Sequence, residues 1–281
     1  MPSRDADLII AGAGCAGLSA LWHAMDRAAP ARRISVIDPD IGVRDDKTWS
    51  FWGDQRAPFA QLAERRWDRL EVRVPGRTHR DELRGTSRNA RRRYHRVRQR
   101  HYDVAVLDRA NDHPNVRFVS QPVSSVRDEH DGGVVELPEG SLRAPVVLQS
   151  IHRPESHRPV RHPLRQHFAG LEVRTERPIF DPGVVTLMDF DTHQYDGVAF
   201  FYVLPDAPDR ALLEHTMFST SVRSAAFHEQ RVLDQLDRLG AGEVSIERRE
   251  RGVIPMEDRV LEQRSGRHVW NIGSAGGMTK P

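Results

Sequence analysis

The sequence predicts an α/β protein in which a Rossmann-like dinucleotide-binding domain is joined to a second domain built on sheet. Three observations predict it. A short apolar run near the amino terminus passes through a G-x-G-x-x-G turn into a helix-like stretch, and a second apolar run ends on an acid. The middle of the chain is rich in aromatic, β-forming stretches such as "VAFFYVLP".

The first strand is "DLIIA", Asp7 to Ala11, and it feeds "GAGCAG" and then "LSALWHAMDRAA". Gly12 makes the tight turn, Gly14 lets a pyrophosphate approach the backbone, and Gly17 lets the helix pack on the strand. The helix amino terminus offers N–H groups to phosphate oxygens. Cys15 reads as a small turn residue, because no His or carboxylate partner stands near it in sequence. The second strand, "RISVID", ends at Asp38, 21 residues after Gly17, where an acid accepts hydrogen bonds from ribose hydroxyls. This motif alone does not separate FAD from NAD. Its position at the extreme amino terminus, together with a second glycine loop after "HVWNIG", favours FAD. That loop carries Gly273, Gly276 and Gly277 within the last ten residues.

Farther along, "LEVRVPG" and "VRFVSQPVSSV" alternate as strands do, and "FHEQRVLDQLDRLG" has the spacing of an amphipathic helix. Seven arginines fall between Arg88 and Arg100; they suit phosphate, an anionic lipid surface or, most commonly, a solvated helical face. The Pro- and His-rich "IHRPESHRPVRHPLRQH" reads as an irregular connection.

Composition narrows the class. A length of 281 residues allows one large or two modest domains. Apolar content of 38% against 29% charged residues describes a protein with a thick polar skin, and no apolar run approaches the roughly 20 residues of a membrane-spanning helix. Attachment to a membrane surface stays open. A net charge of +2 does not point to nucleic acid as a partner. The single cysteine forbids an intrachain disulfide and fits a reducing compartment, and the start has no long apolar signal region, so the expected location is cytoplasmic. The 14 histidines are scattered without zinc spacing, so no metal is expected.

Six stretches occur in a telling order: "KTWSFW" (Lys47 to Trp52), "PIFDPGVVTLMDF", "FFYVLP", "ALLEHTMFS", "RGVIPM" and "IGSAGGMTKP". Together they resemble the flavin-dependent lycopene cyclases of carotenoid-producing bacteria and plants, from Asp7 to Pro281. The resemblance implies an FAD-binding, aromatic-hydroxylase-like fold with a sheet-based substrate domain. It implies a cyclase that closes the linear ends of lycopene into β-ionone rings by acid catalysis, without net redox change. Reduced FAD, generated from NAD(P)H, is needed, and its anionic ring is thought to stabilise a carbocation. The substrate, lycopene or a related linear carotenoid, implies peripheral association with the inner membrane. By pattern and likeness, residues 1–70, 101–150 and 251–281 form a discontinuous FAD-binding domain, with 71–100 and 151–250 as substrate domain and connections.

The resemblance also suggests roles. Glu214 in "LLEHT" matches the family's acidic motif and is the expected proton donor; most Glu residues are solvated or salt-bridged, so this role comes from the likeness. Lys47 and Thr48 are expected to reach cofactor polar atoms, as are Gly273, Gly276, Gly277 and Met278 of a flavin-facing loop. Trp49, Phe51 and Trp52 line the flavin face or the polyene tunnel, or else pack a core. His193, Gln194 and His215 are candidates for orienting donors. Three departures stand out: Gln149 where an acid is usual, Asp191 where an arginine is common, and an end at Pro281 where the family continues into a helix, so that the chain is expected to be truncated. A flavin-dependent monooxygenase or polyene reductase on the same fold is the rival enzyme. A cofactor-binding fragment without activity is the rival of another class, and a nucleic-acid module, from the arginine cluster, is the outsider.

Overall fold

The structure, a computed structural model, describes residues 4–27, 32–83, 92–151 and 160–278. The chain opens with β1 (Leu8–Ala11), α1 (Cys15–Arg27) and β2 (Ile34–Ile37). Next come β3 (Thr48–Gly53), β4 (Arg65–Trp67), β5 (Arg69–Val74), β6 (Arg77–Glu82) and β7 (Arg93–Arg98). Then follow α2 (Gln99–Asn111), β8 (Val116–Val119), β9 (Ser125–Glu129), β10 (Gly132–Leu137), β11 (Gly140–Ala144) and β12 (Val147–Gln149). The remainder holds β13 (Arg165–Thr175), β14 (Val185–Asp189), β15 (Val198–Ala207) and β16 (Arg210–Ser219), then α3 (Ala225–Arg238), β17 (Val244–Pro255) and β18 (Val269–Asn271).

These elements form two units. The first comprises residues 1–43, 103–160 and 259–281, the second residues 44–102 and 161–258. Residues 44–70, expected with the cofactor domain, cluster in the second unit because β3 and β4 pair with β7 and β5 joins the large sheet. The arginine run lies partly outside the described residues.

In the first unit a parallel sheet has the order β18-β12-β1-β2-β8, with a three-stranded antiparallel sheet β11-β10-β9 beside it in the chain. Strands β1 and β2 are almost wholly buried apolar runs, as strands of a parallel sheet covered on both faces must be. Ile9, Ala11, Ile37, Val147 and Val269 build its core.

The second unit carries a seven-stranded sheet, β17-β13-β16-β15-β14-β5-β6, antiparallel except at β14 and β5. Alternation gives it two buried faces. One face packs Leu171, Val173, Phe201 and Leu213 against α3 through Val232 and Leu236. Ser224 caps α3 by accepting from the Phe227 N–H at 3.2 Å, and Gly240, at φ +73°, lies just beyond its end. The other face meets the small sheet β3-β7-β4, where Trp67 and Tyr94 pack on Val185, Leu204 and Leu212. The α/β, Rossmann-like class with a second sheet-based unit is therefore what the chain adopts.

Candidate active site

In the first unit the opening glycine turn has the geometry its spacing predicts. Gly12 sits at φ +103°, and a Cβ there would lie 2.3 Å from Ser150 Oγ. A Cβ on Gly17 would lie 1.8 Å from the Gly12 carbonyl oxygen, so only glycine lets the helix start against the turn. Gly14 differs: a Cβ would meet nothing within 4 Å, leaving open space over the first turn of α1. Asp38, at the end of β2, accepts from the Ala13 N–H at 2.8 Å and from the Asp40 N–H at 2.9 Å. It thereby braces the turn, and each carboxylate oxygen keeps a further lone pair for a ribose hydroxyl.

The closing glycine loop adjoins the opening one. Gly273, at φ +59°, approaches α1 so closely that a Cβ would stand 2.8 Å from the Ala16 methyl. Gly273 to Gly276 form one turn of 3-10 helix, ended by Gly277 at φ +73° with Met278 exposed. A Cβ on Gly276 would strike the Asn271 carbonyl oxygen at 2.2 Å. Gln149, the departure from the family pattern, ties β12 to β18 by donating to Asn271 Oδ1 at 2.5 Å.

The second unit brings several carboxyls together. Strand register sets Glu214 of β16 opposite Gly170 of β13, and Gly170 opposite Glu250 of β17. Gly170 has no side chain to separate the two carboxyls, and a Cβ there would stand 3.0 Å from Glu250 Cγ. Glu214 hydrogen-bonds Glu250 and accepts from Thr216 Oγ1 at 2.7 Å. By surface Glu214 is half-buried, yet protein atoms crowd its carboxyl. That burial first, and the Glu250 carboxylate second, push it up to about 8.

Glu250 has the opposite surroundings. It is 6% exposed, and its Oε2 receives Thr48 Oγ1 at 2.6 Å and the Arg248 guanidinium at 2.9 Å. Arg248 also donates to Thr48 Oγ1 at 2.6 Å and to Glu172 at 3.0 Å. Arg96 and Arg98 stand 3.8 Å and 3.7 Å from Glu172. The two neighbouring carboxyls thus have different surroundings: crowding and the neighbouring acid favour the neutral form of Glu214, while Glu250 lies on Thr48 and Arg248.

Arg248 is 10% exposed and answers two buried carboxylates. Arg248→Met is expected to cost about 3 kcal/mol of stability, read from urea denaturation at pH 7, because the carboxylates lose their partner inside the fold.

Aromatic residues surround Glu214 on its face of the sheet. Phe200 lies 5.1 Å from Tyr202 and 6.0 Å from Phe218, ring centre to ring centre, and Tyr202 is the cross-strand neighbour of Glu214. Burial, then Tyr94 and Glu214, push the Tyr202 phenol upward; burial, with Glu214 nearby, pushes Tyr94 up to about 12. Both phenols therefore stay neutral. Phe168, Tyr202 and Phe218 remain half-buried, so a carboxyl and several π faces meet on a surface that an apolar chain can cover.

The other candidate residues take the following places. His215 does not stand with Glu214: adjacent strand residues point to opposite faces, and His215 is wholly buried under α3. His193 and Gln194 lie exposed in the β14–β15 turn, where Gln194 donates to the carbonyls of Phe190, Thr192 and Ala199. The aromatic residues of β3 pack on the small sheet and α2: Trp49 on Tyr102 at 5.0 Å, Phe51 on His95 at 5.0 Å, Trp52 on Tyr94 at 4.6 Å. Lys47 pairs with Asp46 and donates to the Arg251 carbonyl. Sequence reasoning missed Gly170, Glu250, Tyr202 and Thr216. The period-two alternation of "RQHFAGLE", "VAFFYVLP" and "ALLEHTMFS" carries the shared face of Gly170, Tyr202 and Thr216, but the register that joins them to one another and to Glu250 of β17 is not local.

On the α3 face His167, His228 and His215 form a chain. Ser219 Oγ donates to the Ser221 carbonyl, so it accepts from His167 Nε2–H at 2.9 Å. His167 Nδ1 then accepts from His228 Nε2–H at 2.8 Å, and His228 Nδ1 from His215 Nδ1–H at 2.8 Å. The order holds only with all three rings neutral. Burial holds His215 down to about 3 and His228 to about 4, and His167 below its usual range. Unfolding lets these rings bind protons near 6.5, so their contribution is present above that pH and is lost as pH falls toward 4 and 3. Between pH 6.5 and 4 the wild type is expected to lose denaturation midpoint faster than His215→Leu; parallel profiles would contradict this account.

A glycine turn on a parallel sheet, joined in one chain to a broad antiparallel sheet, is the fold of flavin-dependent monooxygenases and their structural neighbours. The same fold occurs in p-nitrophenol 4-monooxygenase from Pseudomonas putida, at TM-score 0.71 and 14% identity over 98% of this chain and 74% of that one. It occurs in a geranylgeranyl bacteriochlorophyll reductase-like protein from Thermoplasma acidophilum, at TM-score 0.66 and 15% identity over 97% and 72%. A probable FAD-dependent monooxygenase from Pseudomonas aeruginosa matches at TM-score 0.63 and 16% identity over 96% and 78%. The family model described as lycopene cyclase protein matches residues 7–281, and the chain belongs to the lycopene cyclase family. A lycopene beta-cyclase from Paracoccus sp. is 30% identical over 266 residues, and the chain spans 61% of that relative's length.

Proposed function

We propose that this chain performs lycopene cyclase chemistry: acid-catalysed closure of the linear ends of lycopene, or a related carotenoid, into β-ionone rings. The observation that carries the reading is the Glu214 carboxyl, crowded by protein atoms, in register with Gly170 and Glu250, and set among aromatic rings. A carboxyl kept neutral at pH 7 can protonate an alkene, and Tyr202 and Phe200 present negative π faces to the tertiary cation that results. A neighbouring double bond attacks that cation, and loss of a ring proton leaves the new alkene.

FAD is the cofactor the residues fit. Open space at Gly14, the N–H groups of the first α1 turn, and Asp38 at the end of β2 suit a pyrophosphate and its ribose; Gly12 and Gly17 shape the turn, and Gly273, Gly276 and Gly277 form the second loop beside it. Reduced FAD, renewed by NAD(P)H, supplies an anionic ring that favours a nearby positive charge. Cyclisation itself moves protons and π electrons within the substrate and the protein, so no reducing equivalent is consumed.

Among the described residues no helix is long and apolar enough to cross a membrane. A water-insoluble substrate then calls for contact with the surface of the inner membrane, from a cytoplasmic position.

The test is direct. Lycopene in liposomes, with FAD and NADPH under anaerobic conditions, is expected to yield cyclised carotenoids by chromatography. NADPH consumption stoichiometric with product would favour a polyene reductase, and oxygen consumption a monooxygenase. A chain that binds FAD and converts nothing would be a cofactor-binding fragment.

A further inference from the structure

Glu250 is the residue that the reading above leaves without a task. It is buried, it lies across Gly170 from Glu214, and it hydrogen-bonds that acid. Its Oε2 is held by Thr48 and Arg248, and its Oε1 lies against the Gly170 notch, where a Cβ would come within 3.3 Å. Glu250 also borders a cleft of 570 Å³ lined by Lys47, His167, Arg223 and Arg251, all residues of the second unit.

We propose that Glu214 and Glu250 act as a carboxyl pair sharing one proton, which Glu214 delivers to the substrate alkene and to which the ring proton returns. This deepens the cyclase reading and rests on it. In the first step the O–H bond of Glu214 breaks, a C–H bond forms from the alkene π electrons, and the pair is left as two carboxylates. Two adjacent anions repel, and the pair becomes a strong base at the moment a base is needed. In the last step a ring C–H bond breaks, its electrons form the new alkene, and the proton returns to the pair. Protons balance, and nothing is oxidised or reduced. Arg248 and Thr48 keep the charge on Glu250 while Glu214 carries the proton, and the cleft lets water replace a proton lost from the pair.

The other groups around Glu214 do not substitute for Glu250. Tyr202 from β15 and Tyr94 from β7 face it as neutral phenols, and Thr216 only donates a hydrogen bond. Glu172 on β13 is matched by Arg248, Arg96 and Arg98.

The experiment is a carboxyl titration of the 281-residue protein, by infrared difference spectroscopy or carbon-13 NMR with labelled glutamate, alongside cyclisation assays. In the wild type a carboxyl signal that disappears in Glu214→Gln is expected to titrate near pH 8. In Glu250→Gln it is expected about one pH unit or more lower. The high-pH limb of the cyclisation profile is expected to move down with it, and the rate to fall about 100-fold through loss of the returning base. Gly170→Ala puts a methyl between the two side chains without removing either carboxyl. It provides the second reading if Glu250→Gln folds poorly, with a downward shift in the same direction. A Glu214 signal that titrates alike in the wild type and in either variant overturns the pair. A signal that responds to Glu250 in a protein that forms no rings supports the shared proton and overturns the cyclase reading instead.

Discussion

Glu214→Gln is expected to abolish ring formation, by about a thousand-fold or more, while the protein stays folded and binds FAD as before. The substitution keeps the shape of the side chain. Gln can still accept from Thr216 and can donate to Glu250, so the packing around position 214 is retained. What is lost is the proton. The same variant has a second, opposite signature in stability. Glu214 is raised to about 8 in the fold, against an ordinary value near 4.5, so it binds a proton in the native state through a range where the unfolded chain has released it. Stability from this group is complete below about 4.5 and declines as pH rises through about 8. Glu214→Gln removes that decline, and a comparison of urea midpoints at pH 6 and pH 9 measures it. Normal ring formation by the variant would remove Glu214 from the chemistry.

Gly17→Ala is expected to weaken FAD binding about 100-fold, close to 3 kcal/mol, measured by flavin fluorescence titration. The new methyl would fall 1.8 Å from the Gly12 carbonyl oxygen, and backbone cannot yield as a flexible side chain can. The turn and the start of α1 must part, which displaces the N–H groups offered to the pyrophosphate. Gly14→Ala makes a useful contrast. Its Cβ meets no protein atom within 4 Å, so the apo protein should keep its stability, while affinity is expected to fall because the methyl takes up the open space over the first α1 turn. Equal affinity in the wild type and Gly17→Ala would show that the opening turn does not hold the cofactor.

Sequence alone determined the parts whose causes are local. A strand, a glycine turn and a helix occupy neighbouring residues, and the steric reasons for Gly12 and Gly17 act over a few positions. Asp38 at the end of β2 follows from the same unit, although its bond to Ala13 had to be seen. Glu214 was legible only through family likeness, since nothing in "LLEHT" distinguishes a buried acid from a solvated one. Thr48 was expected at the cofactor for reasons of likeness; that its hydroxyl donates to Glu250 could be read only from the fold. His215, next to Glu214 in the chain, is turned to the opposite face by the strand's two-residue period. Tertiary structure decided the acid site because β16, β13 and β17 are brought side by side from distant parts of the chain. Only their register places Glu214, the bare backbone of Gly170 and Glu250 in one row. Burial and a neighbouring charge, which together set a carboxyl's proton affinity, are properties of that row and of no single stretch of sequence.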